Sequence, residues 1–331
     1  MRWGVLGVAS IAVRRVIPAM QTAQRCEIRA IASRQKSRAQ EAARALGIPK
    51  AYGSYEELLS DPEIDAIYNP LPNHLHVPWS IRAVQAGKHV LCEKPIGVNA
   101  AEVRKLIEAR DLAGVKIGEA FMVRTHPRWL RTRELVRTGR IGELRVITGW
   151  FGFFNRDAKN VRNIPEFGGG ALLDIGCYPV TLSRFVFGEE PSRVIAMIER
   201  DPEMQTDCLT SAMLDFPSGR CTFTCSTQLA YNQRVALLGT RGRMEMDRPL
   251  NAPSDQATRI LIDDTPSDLT GAGITAEAIA ACDQFAIQGE LFSKAVHEGG
   301  EVPVPLEDSL HNMAVIDALF RSVESGKWEK P

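Results

Sequence analysis

Long apolar runs are missing from this chain. No stretch reaches membrane-spanning length, and no charged segment followed by an apolar one stands ahead of Arg2-Trp3-Gly4-Val5-Leu6-Gly7, which already reads as a strand. The expectation is a chain with no membrane partner. An excess of one charge is missing too: Lys plus Arg and Asp plus Glu balance at 40 each, so no net field attracts nucleic acid. Cysteine is sparse, with seven scattered residues and no Cys-x-x-Cys pair. That excludes a disulfide scaffold, and Cys221 with Cys225, on one face of a strand, make too small a set for a metal. Seven reduced thiols in a cytoplasmic protein without a metal site are expected. What is present, 44% hydrophobic and 24% charged residues over 331 positions, suits a globular chain of about two domains.

Up to about residue 122, strand and helix patterns alternate. Short apolar runs at Trp3–Leu6, Ile28–Ser33, Ile64–Asn69, His89–Cys92 and Val115–Phe121 read as buried strands. Helical spacing fills Ile11–Ala23, Gln35–Leu46, His76–Ala86 and Ala101–Ala113, with Gly47, Gly87 and Gly114 as stops. Ser54 and Glu57 form a capping box. This grammar predicts right-handed βαβ units, hence an α/β Rossmann domain with a parallel doubly wound sheet over residues 1–122.

The remainder, 123–331, reads as an α+β domain with a largely antiparallel open sheet. A helix is expected over His126–Thr138. Strands are expected at Glu143–Phe154, Ser192–Glu199, Cys208–Phe216, Arg220–Ala230, Gln233–Gly239 and Arg259–Asp263. Two closing helices are expected at Thr275–His297 and Glu307–Ser325, the last ones able to pack back on the first domain. Asn251–Asp255 and Thr265–Gly273 read as surface loops.

The turn Gly7-Val8-Ala9-Ser10-Ile11-Ala12 follows the first strand and opens the first helix. It matches Gly-x-Gly-x-x-Gly/Ala except for Ala9, whose methyl is a small obstruction where a backbone should approach a pyrophosphate. Gly7, Ala9, Ser10, Ile11 and Ala12 are therefore candidate dinucleotide contacts. The second strand ends in Ser33-Arg34 with Arg38 one helical turn on, and no acid stands there for a ribose 2′-hydroxyl. Arg34 and Arg38 with Ser33 suit a 2′-phosphate, so NADP is expected in preference to NAD. After the third strand, Pro70-Leu71-Pro72-Asn73-His74-Leu75-His76 borders the nicotinamide side. Leu71, Asn73 and His76 are candidate contacts, His76 being equally readable as a hydrogen-bonded structural residue. After the fourth strand, Cys92-Glu93-Lys94-Pro95 puts Glu93 and the Lys94 ammonium at the carboxyl edge of the sheet, where ligands bind in such folds. Pro95 is a candidate for a cis peptide.

These segments, with Gly168-Gly169-Gly170-Ala171-Leu172-Leu173-Asp174-Ile175-Gly176-Cys177-Tyr178, resemble the glucose–fructose oxidoreductase/inositol dehydrogenase/MocA family over nearly the whole chain. The resemblance implies a Rossmann domain joined to an α+β domain whose open sheet makes homodimer or homotetramer contacts. It also implies a catalytic lysine at Lys94. Tyrosine at 178, where inositol dehydrogenase-like members carry histidine, is similar to the NADP-linked branch acting on sugars, cyclic polyols and dihydrodiols.

Hydride transfer from a carbinol carbon needs a group that takes the hydroxyl proton. Tyr178, with an ordinary pKa of about 10, needs a nearby cation to do so near neutrality. Tyr178 is thus assigned as general acid/base and Lys94 as its electrostatic partner; the reverse assignment stands open beside it. Asp174, one helical turn earlier, is expected to orient the substrate hydroxyl or the lysine. Arg124, Asn160 and Arg162 are further pocket candidates, Arg162 toward cofactor or substrate. The expected reaction is oxidation of an aldose such as xylose or glucose at C1. The alternatives are reduction of a ketose of the 1,5-anhydrofructose type and dihydrodiol oxidation, followed by a non-catalytic NADP-binding sensor.

Overall fold

The computed structural model describes residues 1–265 and 273–331. Two compact units form, Met1–Met122 with Asp283–Leu310, and Val123–Cys282 with His311–Pro331. The segment 283–310, grouped with the second half in the sequence reading, thus counts with the first unit. Its anchor is apolar: Phe292 packs on Trp3 with ring centroids 5.4 Å apart, and the Trp3 indole N–H donates to Ser293 Oγ.

The first unit begins with β1 (Arg2–Leu6), a π-helical turn (Ala12–Val16) and α1 (Ile17–Met20). It continues through β2 (Glu27–Ala32), α2 (Lys36–Leu46), β3 (Lys50–Tyr52), α3 (Tyr55–Leu59), β4 (Ala66–Asn69), α4 (His76–Gln85), β5 (His89–Cys92), α5 (Ala100–Ala113) and β6 (Ile117–Glu119). All six strands pair in parallel in the order β3-β2-β1-β4-β5-β6. The order reverses direction between β1 and β4, which makes their carboxyl ends the topological switch point. Trp3, Val5, Val16, Ile17, Met20, Ile31, Tyr68 and Phe292 form the core, each removed from water. Burying such a side chain contributes roughly 1.5–3 kcal/mol. The short β3 was not legible in the sequence, because Lys50-Ala51-Tyr52 has neither apolar run nor alternation. Ser54 does cap α3 by accepting from Glu57 N, while the Glu57 carboxylate reaches back to Gly53 N.

The second unit contains α6 (Pro127–Arg137), β7 (Leu144–Phe154), a π-helical turn (Leu172–Gly176) and α7 (Cys177–Phe187). Strands β8 (Arg193–Arg200), β9 (Asp207–Asp215), β10 (Arg220–Ser226), β11 (Gln228–Gly239), β12 (Arg243–Asp247), β13 (Thr258–Asp263) and β14 (Thr275–Ile279) follow. The sheet order is β14-β13-β12-β11-β7-β10-β9-β8, antiparallel except for β7 with β10. Ile147, Phe151, Cys221, Phe223, Cys225 and Leu237 are buried from the sheet, and Leu172, Ile175, Val180 and Leu182 from the helix.

Two expectations are corrected here. The strand expected over Arg220–Ala230 divides at Thr227, because β10 pairs with one side of β7 and β11 with the other, so the chain must cross over. The helix expected from Thr275 begins only at Gln284, where Asp283 accepts from Phe285 N and Ala286 N; Thr275–Ile279 pairs with β13 instead. The loop expected over Thr265–Gly273 lies outside the described residues but for its ends. Among the described residues no helix is long and apolar enough to cross a membrane, and no three metal-ligating side chains cluster.

Candidate active site

Two constellations of polar side chains stand out, one in each unit. In the first unit the chain leaves β1 through Gly7, whose φ of +83° favours glycine and whose N–H donates to Ala32 O at 2.8 Å. A Cβ at Gly7 would lie 3.1 Å from Leu71 Cδ2 and 3.5 Å from the Tyr55 hydroxyl, so the turns after β1 and β4 close on this glycine. Ala9, the position expected to obstruct a pyrophosphate, is half-buried and packs against the hydrophobic core. Ala12 is fully buried, so its side chain belongs to that core, whereas Ser10 and Ile11 are exposed. The helix they open runs as a π turn over Ala12–Val16, a local irregularity that recurs at functional sites.

At the end of β2, Ser33 is buried and its hydroxyl accepts from Gln35 N at 3.2 Å, shaping the entry to α2. Arg34 and Arg38 follow, both exposed and both close enough to bear on Tyr55. Burial pushes the Tyr55 phenol up; Arg34, hydrogen-bonded to it, and Arg38 pull the other way. Tyr55 also meets Trp79 edge-on with ring centroids 4.7 Å apart. The sequence reading missed Tyr55, which lies twenty-one residues past Arg34 and carries no motif. A tight glycine turn, two guanidinium groups and no carboxylate at the strand end fit a dinucleotide bearing a 2′-phosphate.

The loop after β4 is held from within. Asn69, fully buried and also missed, donates to His76 O and Ser80 Oγ and accepts from Leu71 N. His76 is buried with Nδ1 2.7 Å from Pro95 O and Nε2 2.6 Å from Leu71 O. A ring held neutral has one N–H, so His76 donates to one of these two carbonyls while its other nitrogen faces the second, and this packing against backbone supports the structural one of its two readings. Burial, with Lys94 and His74 adding repulsion, pulls its pKa down to about 4. Helix α4 has no side-chain cap at its start; the His76 N–H bonds the Asn73 carbonyl.

His76 thereby ties the loop after β4 to the turn that carries Lys94. Lys94-Pro95 is a cis peptide bond. Glu93 accepts from the Tyr68 hydroxyl at 2.6 Å and from Lys94 N at 3.3 Å, and Ile96 N donates to Glu119 at 2.8 Å. The half-buried Lys94 thus stands on a turn fixed through four neighbouring side chains.

In the second unit, Asp174 lies in the π turn Leu172–Gly176 and Tyr178 in the helix that continues it; both are buried. The Tyr178 ring packs 6.2 Å from that of Phe151. Arg162 donates from Nε to Asp174 Oδ2 at 2.7 Å, which joins two of the predicted residues in an ion pair. Asn160 shapes the backbone there, accepting from Arg162 N. Arg124 donates to Thr181 and stacks on Phe185 at 4.5 Å, with Arg133 also over that ring.

A parallel sheet with its switch point beside a glycine turn, and a lysine at the carboxyl edge of that sheet, are features of a dinucleotide-binding Rossmann fold. Residues 1–121 match the family model "Oxidoreductase family, NAD-binding Rossmann fold", and residues 129–245 the model "GFO/IDH/MocA C-terminal domain". The chain belongs to the glucose–fructose oxidoreductase/inositol dehydrogenase/MocA family. It is 47% identical to an uncharacterized oxidoreductase of Rhizobium meliloti, across 99% of this chain and 98% of that one. It is 37% identical to a D-xylose 1-dehydrogenase (NADP(+)) of Haloferax volcanii, across 98% of each. Among solved structures, a 3-ketoreductase from Actinomadura kijaniata in complex with NADP and TDP-benzene superposes with a TM-score of 0.90, at 30% identity over 97% of each chain.

Proposed function

We propose that this protein is an NADP-dependent aldose 1-dehydrogenase, oxidising a cyclic sugar such as xylose or glucose to its lactone. The observation that carries this reading is the 37% identity, end to end, with an NADP-linked xylose dehydrogenase. Ser33, Arg34 and Arg38 at the end of β2 support NADP, and the cofactor, when bound, accepts hydride at its nicotinamide. Tyr178 takes the proton of the C1 hydroxyl, and Lys94 supplies the cation that favours its phenolate. Asp174, oriented by Arg162, hydrogen-bonds the sugar. A second reading, reduction of a keto sugar, is supported by the likeness to the 3-ketoreductase. A cytoplasmic location is supported by seven free cysteines, and a homodimer or homotetramer through the eight-stranded sheet by its exposed apolar residues.

The test is a cofactor-coupled panel of D-xylose, D-glucose, myo-inositol, 1,5-anhydro-D-fructose and a trans-dihydrodiol, run in both directions with NADP and NAD. Highest kcat/KM with an aldose and NADP+ is expected. Turnover of none of these substrates, or equal use of NAD+, overturns the proposal.

A further inference from the structure

The helix that carries Asp174 and Tyr178 is gripped at its start by a strand, and we propose that Asp207 is a positioning residue for both. This inference rests on the reading of Tyr178 as the group that moves the proton. Asp207 opens β9 and is 2% exposed. Its Oδ2 accepts from Leu172 N at 2.6 Å and from Thr210 Oγ1 at 3.3 Å. Leu172 is the first residue of the π turn, two positions before Asp174 and six before Tyr178. One carboxylate oxygen therefore fixes the first N–H of the element on which both side chains stand.

The glycine run exists to allow this grip. Gly170 has φ of +113°, and a Cβ there would lie 1.8 Å from Asp207 Oδ1. A Cβ at Gly169 would lie 2.5 Å from Arg162 O, the carbonyl that accepts from Gly170 N at 2.8 Å. Asp207 thus closes on the helix start from one side while the segment bearing Arg162, partner of Asp174, closes from the other. Cys225 adds a third tie, its thiol donating to Ala171 O at 3.6 Å.

A stability role explains the carboxylate poorly. Burial pushes the Asp207 carboxyl up to about 6, against the pull of Leu172 N and Thr210. Ionised at neutral pH, the group costs the fold stability, whereas an amide oxygen could accept the same N–H without charge. What the charged, short-armed acceptor supplies is a strong, directional hold on the helix start.

The experiment compares wild type, Asp207→Ala, Asp207→Asn and Tyr178→Phe, using NADP+ and the panel sugar turned over fastest. Removing the acceptor in Asp207→Ala is expected to lower kcat at least tenfold, since displacements of about 1 Å cost up to about 100-fold. The Kd for NADPH, read by fluorescence, is expected to stay within about twofold. Asp207→Asn, which keeps an acceptor oxygen without the charge, is expected to recover kcat only in part, to a value between those of Asp207→Ala and wild type. If Asp207→Ala does not fold, Asp207→Ser, which keeps a hydroxyl for Thr210, serves the same comparison. Loss of turnover in Tyr178→Phe with full turnover in Asp207→Ala overturns the positioning role alone. Full turnover in Tyr178→Phe overturns the proton-transfer reading and the positioning role with it. A fall in kcat and NADPH affinity together in Asp207→Ala, or no recovery in Asp207→Asn, also overturns the proposal.

Discussion

Arg34 and Arg38 stand where an NAD-selective Rossmann domain places a carboxylate, and that substitution of charge is the main handle on cofactor choice. A guanidinium bonded to a phosphate contributes about 1.5–3 kcal/mol, which corresponds to roughly 10- to 100-fold in affinity. Arg34→Ala is therefore expected to lower kcat/KM for NADP+ by that factor while leaving NAD+ nearly unchanged. Steady-state kinetics with both cofactors check this, and equal losses with the two would refute a 2′-phosphate contact. The places of Lys94 and of the Arg34–Arg38 pair just past the ends of β5 and β2 were legible in the sequence, because the apolar runs mark where those strands stop. Tyr55 and Asn69 were not. Their partners lie in other elements of the first unit, and nothing in a neighbouring residue announces a buried hydrogen bond. His76 shows the same limit: its motif is visible, but only the two carbonyls against its ring reveal a brace between loops.

The two π turns, Ala12–Val16 and Leu172–Gly176, each follow a glycine-bearing turn and each open a helix of a proposed functional constellation. Apolar spacing announced helices at both places but not the wider turn, which is set by the carbonyl each N–H reaches rather than by which residues are apolar. At the second of them, Gly170→Ala combines backbone strain of about 1–3 kcal/mol with a methyl driven into Asp207. A fall in Tm of at least about 5 °C is expected by calorimetry; a change under about 2 °C would mean the glycine is not required. Asp207 itself gives a pH signature. Its folded pKa of about 6 exceeds the usual 3.8, with Arg200 the cation that bears on it. The folded state therefore binds the proton more tightly, so the contribution is complete below about pH 4 and is lost as pH rises through 6. Asp207→Asn lacks that loss. Urea unfolding is expected to show the variant gaining on wild type by about 2–3 kcal/mol between pH 4 and 7.5. A constant difference across that range would exclude the raised pKa. Edge strand β14 marks another limit of legibility. Thr275-Ala276-Glu277-Ala278-Ile279 has helix-forming residues, and only its pairing with β13 makes it a strand.

For the molecule as a whole, the open question is what covers the far face of the eight-stranded sheet. Arg234, Trp150, Thr224, Ser211 and Met197 are paired directly in turn across β11, β7, β10, β9 and β8, so they form one row on one face. The next row, Ala236, Thr148, Thr222, Met213 and Ile195, is apolar or hydroxylated throughout, with Thr222 bonded to Thr148. Trp150 is 43% exposed and Met197 79%, in a sheet whose other face supplies the core of its unit. The largely antiparallel character of this sheet was legible in the sequence. The row structure was not, since it depends on β10 running parallel to β7, a pairing that hairpin grammar does not anticipate. The homodimer or homotetramer proposed above would cover this face with its exposed Trp150 and Met197, and a stable interface removes about 800 Å² per partner. A second copy related by two-fold symmetry would bring the Trp150 row against its own equivalent. Trp150→Glu combined with Met197→Glu would place carboxylates opposite carboxylates there and is expected to convert the proposed assembly to single subunits. Light scattering during size exclusion measures the mass directly. A wild-type protein already eluting as one subunit at every concentration would remove this interface, while leaving the two proposed constellations of each chain as they stand.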